Sequence, residues 1–331
     1  MIFQTKKIQV CCTRGVTGGP ELLHQLVDQL RKNGHDATIV YVPIDEPFEC
    51  PEPYRLYDAP QSQLQDEPGV LVIVPEVSTA LLRMLKHATR AVWWLSVDNY
   101  LGVNRESPLK DVYRRYKSLL LQRRLALHSL RKFHHFAQSH YALEFLGKTG
   151  IRAFPLTDYL GAAHFEQPQR PSHAKQDIIV YNPKKGVGIT TMLREANPDM
   201  QFVAIENMTA QQVAELMASA KLYIDFGHHP GKDRLPREAA MAECCVITGR
   251  QGAAANAVDV SIAEEYKLDE RSSDFLAAFR KQALAVLGEY ENRRPDFDSY
   301  RMRIRAERKL FIQQVEELFG VVQRSDCESA A

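Results

Sequence analysis

Residues 221–248 read KLYIDFGHHPGKDRLPREAAMAECCVIT. An apolar run (221–226) gives way to a polar loop (227–234). A helix follows with Pro236 near its first turn, where a missing N–H breaks no helical hydrogen bond, and a second apolar run closes the segment at 244–248. Strands that are apolar throughout, rather than in alternation, are buried on both faces, as in parallel sheets covered by helices.

The same grammar extends upstream. Residues 177–181 (DIIVY) form a strand, 182–188 a loop and the stretch to about Asn197 a helix; 200–205 is another strand. Val213, Leu216, Met217 and Ala220 then mark one helical face, with Thr209 as its N-cap. In the first half, 7–13 (KIQVCCT), 37–42 (ATIVYV), 69–75 (GVLVIVP), 90–96 (RAVWWLS) and 134–139 (HHFAQS) read as strands. Leu23, Leu26, Val27 and Leu30 share a helical face that Gly34 ends. Residues 43–67 are an irregular, proline- and acid-rich excursion, and 141–148 a short helix before Gly150 and an extended piece at 151–155. The polar stretch 166–176 (EQPQRPSHAKQ) is the best linker. Two long helices, about 272–290 and 300–321, close the chain before a frayed end at 325–331. The expected fold is therefore α/β: two facing Rossmann-like, doubly wound parallel-sheet domains, 1–165 and 166–331, with C-terminal helices.

Bulk properties agree. The chain has 331 residues, enough for two ordinary domains, with 45% apolar and 25% charged residues. A net charge of +1 gives no nucleic-acid footprint. The N-terminal stretch lacks the apolar core and cleavage site of a signal peptide, and no window reaches the ~18 apolar residues of a membrane span. Cys11, Cys12, Cys50, Cys244, Cys245 and Cys327 include no C-x-x-C pair and read as buried free thiols. A cytoplasmic protein without structural zinc is expected.

Ligands of doubly wound sheets bind outside the carboxyl ends of the strands, so the loops there decide function. Arg14-Gly15-Val16-Thr17-Gly18-Gly19-Pro20 follows the first strand. Taken alone it reads as a flexible turn, but its glycines admit a close ligand and the next helix N-terminus favours an anion. Tyr181-Asn182-Pro183-Lys184-Lys185-Gly186 offers two lysines, either as a solvated turn or as counter-charges for a diphosphate leaving group. The loop 227–238 is the densest: Arg234 is suited to fork two phosphate oxygens, and Glu238 to accept from two ribose hydroxyls. Its carboxylates and His228 and His229 fall on no known metal-ligand spacing, so no metal is expected. Asp98-Asn99-Tyr100 is either an acceptor-side polar group or a plain strand-end turn.

These loops, in this order, resemble the GT-B glycosyltransferases, particularly the retaining family-4 type. The resemblance runs over nearly the whole chain. It includes Gly18-Gly19 before Pro20-Glu21-Leu22-Leu23, Ser139 before its short helix, Phe154-Pro155-Leu156-Thr157-Asp158, and residues 209–226. Most specific is Glu238-Ala239-Ala240-Met241-Ala242-Glu243-Cys244-Cys245-Val246-Ile247, similar to the family's E-A-M-A-x-G-x-P-V-I. Lys185-Gly186 matches the family's phosphate-loop Lys-Gly, Glu238 the ribose-holding acid, and Gly252 lies in a glycine turn near the donor. Two positions depart: Pro230 stands where a second acid is usual, eight before Glu238, and Asn182 where an Arg is usual.

The resemblance implies hexosyl-type transfer, with retention and without a metal, from a nucleoside-diphosphate sugar to a hydroxyl of a glycan, polysaccharide or lipid-linked acceptor. The donor would be held by Asn182, Lys184, Lys185, Gly186, Gly231, Lys232, Arg234, Glu238 and Gly252, with Lys184, Lys185 and Arg234 neutralising the departing diphosphate. The acceptor would lie near Gly18, Gly19 and Asp98, and closure of the two domains would exclude water. A rival reading, favoured by Pro230, is a degenerate GT-B domain acting as a partner in a polysaccharide-assembly complex. A nicotinamide or flavin enzyme is disfavoured by the missing G-x-G-x-x-G. Arg114, Arg115, Lys117, Arg123, Arg124, Arg131 and Lys132, interleaved with leucines, read first as a solvated interdomain helix. Peripheral contact of 114–132 with the inner face of a membrane is the alternative.

Overall fold

The five central residues of strand β1 (Lys7–Thr13) are buried, and a parallel sheet forms around it in the order β2-β1-β3-β4-β5-β6. Its other strands are β2 (Asp36–Val42), β3 (Val70–Pro75), β4 (Thr89–Trp94), β5 (His134–Ala137) and β6 (Phe154–Pro155). In this computed structural model the described residues are 2–3, 5, 7–44, 46–102, 124–161, 165 and 175–322. Residues 114–123 of the basic stretch, most of the linker and the end at 325–331 lie outside them. A second parallel sheet has the order β10-β9-β7-β8, from β7 (Gln176–Tyr181), β8 (Gln201–Ala204), β9 (Ala220–Asp225) and β10 (Cys245–Thr248). Every strand pair in both sheets is parallel, as the unbroken apolar runs require.

Helices α1 (Gly18–Lys32), α2 (Val97–Leu101), α3 (His140–Lys148), α4 (Val187–Ala196), α5 (Ala210–Ser219), α6 (Arg234–Met241), α7 (Phe275–Gly288) and α8 (Asp298–Phe319) carry most of the remaining order. Thr209 caps α5 in a full capping box: its hydroxyl accepts from Gln212 N–H and the Gln212 side chain accepts from Thr209 N–H.

Contacts divide the chain into two units. One takes the described residues up to Asp158 together with those from Arg308 onward; the other spans Tyr159–Glu307. The last helix is thus shared, where the sequence reading places it wholly in the second domain. The reason lies in its residues: Tyr300 and Ile304 belong to the core of the second unit, whereas Phe319 stacks on Phe3 and meets Phe136 of the first.

The sheet orders fix where chemistry can occur. In the first, β1 is followed by β2 on one side and the chain then crosses to β3 on the other. In the second, β7 leads to β8 and then back across to β9. Loops leaving such a pair of strands part in opposite directions and open a crevice at the carboxyl ends. The pairs are β1/β3 in the first unit and β7/β9 in the second.

Candidate functional site

The β7/β9 pair gathers the second unit's charged residues. Asn182 folds the loop after β7 into a turn, its side chain accepting from Lys184 N–H at 3.0 Å, and leaves Lys184 exposed. Gly186 follows with φ of +59°, and an added Cβ would sit on the backbone carbonyl of Phe226. Only glycine allows the loops after β7 and β9 to touch here. Gly252 makes a comparable contact: its φ is +61°, its Cβ would meet the His229 carbonyl, and Ala253 N–H donates to that oxygen at 2.9 Å.

This approach carries Lys185 between two carboxylates. Its Nζ lies 2.8 Å from Asp225 Oδ1, at the end of β9, and 2.5 Å from Asp233 Oδ2, just before α6. His229, fully buried, places Nδ1 3.2 Å from Asp233, and the Tyr223 hydroxyl donates to Asp225 at 3.2 Å. Burial alone would raise the Asp233 carboxyl, but Lys185 and His229 outweigh it and hold it below the ordinary carboxylate range. Burial would likewise lower Lys185, and the two aspartates override it and keep the ammonium charged. Asp225, His229 and Asp233 together form a group able to hold a metal ion, but the Lys185 ammonium contacts both of its carboxylates.

A second charged cluster braces the loop. Glu307, on α8, receives Lys232 Nζ at 2.7 Å on one oxygen and Arg237 Nη1 at 2.8 Å on the other. Arg237 is fully buried and also donates to the backbone carbonyls of Asp233 and Lys232. Arg234 pairs with Glu238 one helical turn on, at 3.1 Å. Gly231 is buried in the same loop, and Pro230 stands beside His229. Of the sequence candidates, Lys185, Gly186, Gly231, Lys232, Arg234, Glu238 and Gly252 are therefore brought into connected loops of one unit, but Lys185 is a compensated cation rather than a free one.

In the first unit Gly18 and Gly19 begin α1, and a Cβ on Gly19 would make ordinary contact with Leu95. The excursion after β2 braces the loop before them: the Tyr54 hydroxyl accepts from Thr17 N–H and donates to Thr17 C=O. Asp98 is 1% exposed and accepts from the Tyr141 hydroxyl at 3.2 Å, so its carboxylate is turned into the fold. Arg124 donates to the Asn99 and Tyr100 carbonyls.

The sequence did not single out Glu76, which directly follows β3. It is buried, and its Oε2 accepts from Leu95 N–H at 2.9 Å. Burial pushes its carboxyl from 4.5 up to about 7, against the pull of the Leu95 and Ser96 amides and Arg124. Because the folded state holds this proton more tightly than the unfolded one, stability falls as pH rises between those values. The loss through this group is on the order of 3 kcal/mol. Urea unfolding from pH 5 to 8 is expected to show the decline, and Glu76→Gln to flatten it; an equal slope in the variant would refute this role.

Among the described cysteines, Cys11, Cys12, Cys244 and Cys245 are buried free thiols, and burial pushes Cys11 and Cys245 up to about 12. Cys50 is only half-buried, 3.9 Å from His24 Nε2, because it lies in the excursion rather than in a strand.

No protein-family model and no curated protein sequence matches the chain. Solved structures do. Sucrose-phosphate synthase from Thermosynechococcus elongatus superposes with a TM-score of 0.65 at 13% identity, covering 95% of this chain and 98% of that one. WaaG, a glycosyltransferase involved in lipopolysaccharide biosynthesis, gives 0.63 at 13%, covering 95% and 100%. Anabaena HepE in complex with UDP-glucose gives 0.61 at 12%, covering 94% and 98%. The likeness is one of fold, and the fold is that of the GT-B glycosyltransferases.

Proposed function

We propose that the chain transfers a hexosyl group from a nucleoside-diphosphate sugar to an acceptor hydroxyl, without a metal and with retention at the anomeric carbon. The observation that carries this reading is the junction of Lys185-Gly186 with the loop before α6 at the carboxyl ends of β7 and β9. It sets an ammonium against Asp233, the residue that precedes Arg234 and the helix carrying Glu238. In this reading Glu238 accepts from the ribose hydroxyls, and Lys185, Lys184 and Arg234 take the diphosphate oxygens as the anomeric C–O bond breaks. Such a fixed cation is typically worth about 3 kcal/mol in the transition state. The Lys185 ammonium supplies the positive charge that a divalent ion supplies elsewhere. The acceptor, a glycan, polysaccharide or lipid-linked hydroxyl, is assigned to the Gly18–Gly19 loop of the first unit. No described helix is long and apolar enough to cross a membrane.

A second reading, a non-catalytic sugar-nucleotide binder within a polysaccharide-assembly complex, is favoured by one observation. Pro230 stands in the family's acid position, and the acids near Lys185 come instead from Asp225 and Asp233. Incubation of the purified chain with UDP-, GDP-, ADP- and CMP-sugars separates the two. Release or transfer of sugar from one donor is expected; binding with no turnover of any donor would leave the binder.

A further inference from the structure

The proposed donor site carries its own anions. Lys185, Lys232, Arg234 and Arg237 each already contact a carboxylate, those of Asp225, Asp233, Glu238 and Glu307, so positive and negative charges cancel locally. A crevice that takes a diphosphate gains from excess positive charge, which concentrates and holds the anion. A phosphate must therefore compete with carboxylates for these cations.

The two carboxylates on Lys185 are not equivalent. Asp225 is fixed within β9, its side chain is 2% exposed, and Tyr223 donates to it. Asp233 lies in a loop with its side chain 25% exposed. Asp233 is also the N-cap residue of α6, with the extended backbone (φ −65°, ψ 146°) that a capping residue adopts, yet its side chain caps nothing. The α6 amide available to it is that of Leu235, because the next residue, Pro236, has no N–H. Asp233 thus holds the Lys185 ammonium and the His229 ring now, and has the start of α6 as an alternative partner.

We propose that Asp233 is a specificity-determining residue of the donor site: its carboxylate occupies the place on Lys185 that a phosphate oxygen takes, and it yields to a ligand with two linked phosphates in preference to one. On displacement it turns to the Leu235 N–H and caps α6, which offsets part of the lost ion pair. A singly phosphorylated ligand has no second phosphate to engage a further cation of the loop, and replaces it less well. The inference rests on the donor-site reading above and names the phosphate class that site accepts.

Titration calorimetry of the intact chain with inorganic pyrophosphate and with orthophosphate tests this without knowledge of the nucleobase. Asp233→Asn is expected to tighten pyrophosphate binding by about tenfold and to gain more for orthophosphate, so that the preference between the two narrows. In the Lys185→Met background the same change is expected to have no effect. Unchanged or weaker pyrophosphate binding by a folded Asp233→Asn chain overturns the inference, as does absence of pyrophosphate binding to every variant. If Asp233→Asn does not fold, Asp233→Ser retains a capping oxygen and carries the same expectation. Failure of the broader reading looks different: no nucleoside diphosphate would bind the unaltered chain, whatever Asp233→Asn does to pyrophosphate.

Discussion

Lys185→Ala is expected to weaken nucleoside-diphosphate binding by about a hundredfold, and to lower the stability of the unliganded chain by about 3 kcal/mol. The first effect is loss of the cation assigned to the diphosphate in the proposed donor site. The second comes from what remains. Asp225 and Asp233 lie 2.8 and 2.5 Å from the same ammonium, and without it two largely buried carboxylates share the site with His229 and Tyr223 but no ammonium. Removing one partner of a buried pair leaves the other's desolvation unrepaid, which is why the cost exceeds that of a surface ion pair. Calorimetry reads the first effect and urea unfolding the second. Unaltered stability would mean that the aspartates do not depend on Lys185; unaltered binding would remove Lys185 from the donor site.

Gly186→Ala is expected to cost about 3 kcal/mol or more, through a different mechanism. The residue has φ of +59°, and the added Cβ falls on the Phe226 carbonyl, with Gly227 N–H immediately behind it. Both obstacles are backbone, so no rotamer change relieves the overlap. The loops after β7 and β9 must separate, which draws Lys185 from Asp225 and Asp233. Loss of stability and loss of nucleotide binding should therefore appear together in one variant. A thermal midpoint and a nucleotide affinity both equal to those of the parent would show that the loop contact is not what assembles the site.

Much of the architecture was legible because it is written locally. Runs such as IIVY and LVIV announce strands buried on both faces, and the leucine and valine spacing of 23–30 announces a helix. All the strands expected from apolar runs are present, and the extended piece at 151–155 adds the short β6. The division of the last helix was not legible. Its first half is rich in arginine and its second in apolar residues, but neither half names its partner, and only three-dimensional contacts reveal that Phe319 packs on Phe3 while Tyr300 serves the other core.

The candidate site divides along the same line. Lys185-Gly186 and the loop before α6 could be found because each is a dense polar group next to an apolar strand. Asp225 could have been found by its oddity, an acid ending the otherwise apolar stretch LYID, since a buried carboxylate demands a partner. Glu307 gives no such signal: it is one charged residue on a helix rich in charge, brought to Arg237 by a contact across 70 residues. The pairing of Lys185 with Asp225 and Asp233 likewise follows from the strand order β10-β9-β7-β8, which apolar periodicity does not encode. Pattern singled out which loops are densest in charge, whereas the charge balance within them required the fold.

The central claim, that the β7/β9 crevice grips a sugar nucleotide through its phosphates and ribose, is tested most directly by titrating the nucleoside diphosphates UDP, GDP, ADP and CDP into the intact chain and into Glu238→Ala. One nucleotide should bind the parent saturably at one site and lose affinity in the variant, where the ribose acceptor is gone. Binding of none of them, or binding that Glu238→Ala leaves untouched, would contradict it.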